Sequence, residues 1–163
     1  MEILSYILTA LGAYLLGSIP FGFLMAKAKG VDIRSVGSGN IGATNAMRVL
    51  GKPAGIFVLL LDALKGFGAC FLGVLFYSLY FNQFNGLHST SEVIPFPSQE
   101  GAEHIAVIAG IFAVLGHNYT CWLKFKGGKG IATTAGVYLA LAPWALLIAL
   151  GVFIMALLVT RIV

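Results

Sequence analysis

The chain has 163 residues, of which 59% are hydrophobic and 10% charged, with a mean hydropathy of +0.94 and a formal net charge of +4. So few polar groups cannot clothe a soluble domain, which excludes a soluble enzyme and leaves a single integral membrane domain over residues 1–163. The ten Lys and Arg residues cluster beside apolar segments, where they set membrane orientation, and this excludes nucleic acid as a partner.

Residues 3 to about 27 are long enough to span a bilayer. No basic front end or small-residue cleavage site marks a signal peptide, so this first segment reads as a retained helix. Its last third, Gly17-Ser-Ile-Pro-Phe-Gly22, carries the proline and glycines that kink a helix. Residues 27 to about 54 read as a polar loop, with Lys27, Lys29, Arg34, Arg48 and Lys52 against a single Asp32. A second span covers residues 55 to about 81, with Asp62 and Lys65 three residues apart on neighbouring helical positions, most economically as an ion pair.

Residues 82–104 contain no Lys or Arg, carry Glu92, Glu100 and Glu103, and are interrupted by Pro95 and Pro97; they read as a loop. A third span runs from 105 to about 123 and is followed by a loop with Lys124, Lys126 and Lys129. The apolar run 131–160 would measure about 45 Å as one helix, against a hydrocarbon core of roughly 30 Å. Pro143 predicts two short helices turning there, which returns Arg161 to the side of the other cations. Cys70 and Cys121 lie in or beside apolar stretches without a Cys-x-x-Cys partner and read as small hydrophobes. The expected fold is an all-α, polytopic membrane helix bundle of about five helices. The Lys and Arg distribution places the N-terminus outside and both glycine-rich loops in the cytoplasm.

Those loops are the chemically informative part of the chain. Residues 37–52 combine glycines, short hydroxyls and amides with Arg48 and Lys52, and residues 125–134 repeat the theme with Phe-Lys-Gly-Gly-Lys-Gly-Ile-Ala-Thr-Thr. Glycine backbone with adjacent cations at a helix end suits an oxyanion such as phosphate. The Gly37-Ser-Gly-Asn-Ile-Gly42 match to a dinucleotide fingerprint fails because a membrane helix, not a strand, precedes it. Lys129 is followed by Gly130 where a Walker A loop needs Ser or Thr, so nucleotide hydrolysis loses support. Arg48 fits a bidentate phosphate clamp or a topology-setting charge. Lys129 has close backbone access to a ligand, Lys124 reads as a solvated flank, and Ser38 has no His-Asp pair to activate it, which favours hydrogen bonding to a ligand. His117 reads as a helix-end histidine or a general base.

Gly17-Ser-Ile-Pro-Phe-Gly22, Gly37-Ser-Gly-Asn-Ile-Gly-Ala-Thr-Asn45 with Arg48, Leu115-Gly-His-Asn-Tyr119 and Phe125-Lys-Gly-Gly-Lys-Gly-Ile-Ala-Thr133 closely resemble, in order, the bacterial acyl-phosphate:glycerol-3-phosphate acyltransferase (PlsY) family. The resemblance implies a seven-helix inner-membrane enzyme that moves a fatty acyl group from acyl phosphate to the 1-hydroxyl of glycerol 3-phosphate. The products are lysophosphatidic acid and phosphate, made for phospholipid biosynthesis without cofactor or metal. It implies catalytic roles for Ser38, Arg48 and Lys129, and substrate or phosphate binding by Gly37, Gly39, Asn40, Thr44, Asn45, His117, Lys126, Gly127 and Gly128. The expected partners are the two substrates, the lipid bilayer and the enzyme that supplies acyl phosphate. The family continues past Val163 with two further helices and a third motif bearing a histidine and an asparagine, so a C-terminally truncated sequence is expected. The competing class is a transporter or channel component for phosphate or another small anion, which also needs basic glycine-rich loops at helix ends.

Overall fold

The computed structural model describes residues 2–84 and 100–160. Its elements are α1 (Glu2–Gly17), α2 (Phe21–Ala28), a 3-10 turn (Ile33–Ser35), α3 (Ala43–Leu50), α4 (Lys52–Phe84), α5 (Glu100–Asn118), a second 3-10 turn (Cys121–Leu123), α6 (Ile131–Leu141) and α7 (Pro143–Thr160). The all-helical expectation holds, with seven α-helices among the described residues in place of about five. Among the described residues four segments are long and apolar enough to cross a membrane: Ile3–Ala28, Lys52–Leu79, Gly101–Leu123 and Pro143–Thr160.

Two boundaries differ from the sequence reading. The polar stretch 27–54 is not all loop, because α3 forms inside it and α4 already begins at Lys52. Gly42 leads into α3 with an extended backbone, and Gly51, at φ +95°, ends it by donating its amide to the Met47 carbonyl at 3.1 Å. Likewise α5 starts at Glu100, so Glu100, Glu103 and His104 are helical. Glu103, in the first helical turn, meets the positive end of the peptide dipoles, which outweighs its look of loop polarity. The break expected at Pro143 is present, with Ala142 in a non-helical conformation at its joint (φ −150°, ψ 67°). Arg161 and residues 85–99, including Glu92, Pro95 and Pro97, lie outside the described residues.

Helix α4 is the axis of the bundle and packs on α1, α2, α3, α5 and α6. Membrane helices gain little from burying oil in oil, so they associate where small residues let backbones approach. At Gly66 and Gly136 any Cβ would overlap the backbones of Thr133 and Ala63, which seats α6 directly on α4; Gly17 and Gly116 do the same for α1 and α5 through Ala113 and Tyr14. These pairings also fix direction. The C-terminal ends of α1 and α5 lie together, Asp62 near the start of α4 meets His117 at the end of α5, and Gly66 meets Thr133 near the start of α6. Both glycine-rich loops therefore sit at one end of the bundle.

Candidate active site

In the first loop one side chain organises the backbone. Asn45, 1% exposed on α3, accepts the Ser38 amide on Oδ1 at 2.9 Å, and its Nδ2 donates to the carbonyls of Ile33 (3.2 Å), Val36 (3.1 Å) and Asn40 (2.9 Å). Gly37 at φ +63° lies against Asn45 Oδ1, where a Cβ would overlap it, and Gly39 at φ +70° completes the turn. Only glycine adopts both conformations without strain. Asn40 accepts the Gly42 amide on Oδ1 at 2.8 Å, which shapes the entry into α3. The side chains of Asn45 and Asn40 thus both bond to the backbone of the loop. Ser38, Thr44 and Arg48 are exposed, and Thr44 and Arg48, four residues apart, share one face of α3. Among the described residues Arg48 has no hydrogen-bond or ion-pair partner, whereas Arg34 is held by Asp32 through Nε at 2.9 Å and Nη2 at 2.8 Å. That pairing holds the Asp32 carboxyl at about 2.

The second loop is fastened to the end of α5. Gly127 donates its amide to the Asn118 carbonyl and Gly128 to the His117 carbonyl, each at 3.0 Å. A Cβ at Gly127 would overlap the His117 carbonyl, and one at Gly128 would overlap Nε2 of the His117 ring. Gly130, at φ +74°, opens α6. Lys126 and Lys129 are exposed and, among the described residues, unpaired. Leu123, just upstream, is buried in one apolar cluster with Ala26, Ile33, Ile41, Ala46 and Val58. The turn that enters the second loop therefore shares a packed core with residues of the first.

Beneath the loops lies a buried charged cluster. Lys65 Nζ is 2.9 Å from Asp62 Oδ1, a close ion-pair contact whose angle falls short of an aligned hydrogen bond, and both side chains are at most 3% exposed. The expected ion pair is present. Its third member was not legible: Nδ1 of His117 stands 3.6 Å from the same Asp62 oxygen. His117 is 6% exposed, with its ring between Asp62 and the Gly128 backbone. Lys65 also donates to the Ile19 carbonyl at 2.9 Å, and Thr120 Oγ1 donates to the Ser18 carbonyl at 2.6 Å. The α1–α2 break frees both acceptors, and a cation at a helix C-terminus is favourably placed. An ionisable pair inside an apolar helix was the one signal that could have exposed this cluster.

A family model described as glycerol-3-phosphate acyltransferase matches residues 7–163. The glycerol-3-phosphate acyltransferase of Geotalea daltonii is 44% identical over 159 residues, covering 98% of this chain and 70% of that protein. The chain belongs to the glycerol-3-phosphate acyltransferase family. The Staphylococcus carnosus member is 43% identical over 158 residues, covering 96% of this chain and 71% of its own length. The crystal structure of the integral membrane glycerol 3-phosphate acyltransferase PlsY (YgiH) in its glycerol 3-phosphate form superposes with a TM-score of 0.72 at 40% identity, over 94% of this chain and 66% of that one. The same protein's lysophosphatidic acid form gives a TM-score of 0.70 at 39% identity. The chain spans about two thirds of the length of these acyltransferases. The acyltransferase expectation holds, and anion transport falls away as the competing class.

Proposed function

We propose that this chain carries the two phosphate-handling loops of an acyltransferase that transfers a fatty acyl group from acyl phosphate to the 1-hydroxyl of glycerol 3-phosphate. The single observation that carries the reading is one apolar cluster that holds Leu123, at the entry to the second loop, together with Ile41 and Ala46 of the first, while Arg48, Lys126 and Lys129 are exposed and have no partner among the described residues. Both substrates are phosphate esters or anhydrides, and exposed cations beside glycine backbone fit them.

Acyl phosphate is already activated. The acceptor hydroxyl oxygen attacks the acyl carbon, the bond from that carbon to the phosphate oxygen breaks, and phosphate leaves with the bonding pair. The hydroxyl proton passes to a phosphate oxygen of the substrates, so no protein base is required. Positioning and charge neutralisation then supply the acceleration. Arg48 and Lys129 hold phosphate and the developing oxyanion, Ser38 hydrogen-bonds the substrate, and Thr44, Gly37, Gly39, Lys126, Gly127 and Gly128 shape the anion sites. Asn40, Asn45 and His117 hold those groups in place. The protein sits in the bacterial inner membrane with its N-terminus outside, its loops facing the cytoplasm, and the acyl phosphate-supplying enzyme as its metabolic neighbour.

The test is to incubate membrane-reconstituted protein, as residues 1–163 and as a version extended through the family's two further helices, with acyl phosphate and labelled glycerol 3-phosphate, and to separate the lipid products. Labelled lysophosphatidic acid is expected from the extended version, and little or none from residues 1–163. Equal product from acyl-coenzyme A in place of acyl phosphate would overturn the donor assignment.

A further inference from the structure

Three buried polar groups from two helices converge under the Lys126–Lys129 loop, and the proposed chemistry uses none of them directly. Asp62 and Lys65 on α4 meet His117 on α5, and the His117 ring ends against Gly128, at a point where only a residue without Cβ fits. The same residue's carbonyl accepts the Gly128 amide, so ring and backbone of one histidine both bear on the loop. Lys65 ties the cluster onward to the Ile19 carbonyl at the α1–α2 break, and Gly22, just beyond that break, is pressed against the Ile41 carbonyl of the first loop. One connected set of contacts thus reaches both loops.

Ordinary burial does not explain this arrangement, because taking charges out of water is costly and an apolar core of equal volume serves stability at least as well. A buried charge fixes the orientation of a polar neighbour better than an apolar contact does, since it has few alternative partners. We infer that the Asp62–Lys65–His117 cluster is the positioning element of the second loop: Asp62 orients the His117 ring, the ring sets the height of Gly128, and Gly128 sets where Lys129 presents its ammonium group. This rests on the acyltransferase reading, in which Lys129 meets substrate and His117 acts only through the loop.

The experiment is a double-mutant cycle on the extended version in lipid, with an exchange measurement that needs no turnover. His117→Ala lowers kcat/KM by about a hundredfold, the scale of a misplaced catalytic group. In a Lys129→Ala background the same substitution lowers it by no more than about twofold, since the group it positions is gone. His117→Asn, whose amide nitrogen can replace Nδ1 opposite Asp62, restores most of the loss. Amide hydrogen exchange over residues 124–130 rises in His117→Ala and returns toward wild type in His117→Asn. Equal fold losses in both backgrounds, or unchanged exchange in His117→Ala, would overturn the inference. A wild-type protein extended through the family's two further helices that transfers no acyl group would instead overturn the acyltransferase reading, while exchange still decides whether His117 holds the loop.

Discussion

The Asn45 side chain, carried on α3, grips the Ser38 amide at 2.9 Å from seven residues further along the chain, so a helix holds the loop that precedes it. Its two amide N–H groups are shared among three carbonyls and its oxygen accepts one backbone amide, which leaves an aspartate no way to copy it. Asn45→Ala is expected to lower stability by about 2–3 kcal/mol by orphaning loop carbonyls, and Asn45→Asp by more, because a carboxylate would face three carbonyl oxygens. Thermal unfolding in detergent ranks the two, and an Asn45→Asp midpoint at or above that of Asn45→Ala would refute the assigned role.

Arg48→Ala and Lys129→Ala are each expected to reduce acyl transfer by on the order of a hundredfold or more, since each removes a cation from a partly dehydrated phosphate site. Arg34→Ala, whose guanidinium is already committed to Asp32 at the exposed surface, is expected to act far less. Initial rates of the three correctly inserted variants decide it, and equal rates would refute the assignment.

The Asp32–Arg34 pair also gives a pH expectation. Its carboxyl is held at about 2 against an ordinary 3.8, so the pair's contribution is complete above the ordinary value and fades only as pH falls toward about 2. Between pH 5 and 9 the rate profiles of Asp32→Asn and the unmodified protein should superpose; a new inflection in the variant would count against it.

Lys65→Met should destabilise the protein by about 3–5 kcal/mol, because Asp62 is left buried and unpaired and the Ile19 carbonyl loses its donor. Adding Asp62→Asn should recover part of the loss. Unfolding midpoints of the single and double variants measure it, and a double variant less stable than Lys65→Met alone would show that the pair is not coupled in this way.

Topology is open to cysteine labelling in a background lacking Cys70 and Cys121. Cysteines at Ser38 and Lys126 should react with an impermeant thiol reagent only once the inner membrane is opened, and one at Ser91 from outside. Lys126 is the better second position, because a side chain at Gly127 would collide with the His117 carbonyl. Reaction of Lys126→Cys from outside would separate the loops across the membrane.

Much of the fold was legible because membrane helices obey length and hydropathy. The Pro143 break followed from a run too long for the bilayer, and the kink before Phe21 from Pro20 and its glycines. Helix α3 was not legible, because Gly, Asn and Thr suppress the local helical signal and its stability comes from Asn45 and from packing on Gly55, where a Cβ would overlap Met47. The loops announced themselves by composition, and the Asp62–Lys65 pair by spacing. What no linear pattern could give was the meeting of His117 with Asp62, 55 residues away by subtraction of their numbers, or the burial of Leu123 against Ile33 and Ile41.

The bend between α1 and α2 is held from two distant places, by Lys65 on the Ile19 carbonyl and by Thr120 on the Ser18 carbonyl. Pro20 alone does not own it, so Pro20→Ala should leave the first segment bent. The first 28 residues are for this reason not an exchangeable module. A chimera that borrows them from another member of the family inherits a working elbow only if positions 65 and 120 still supply an ammonium and a hydroxyl, so those positions must travel with the segment.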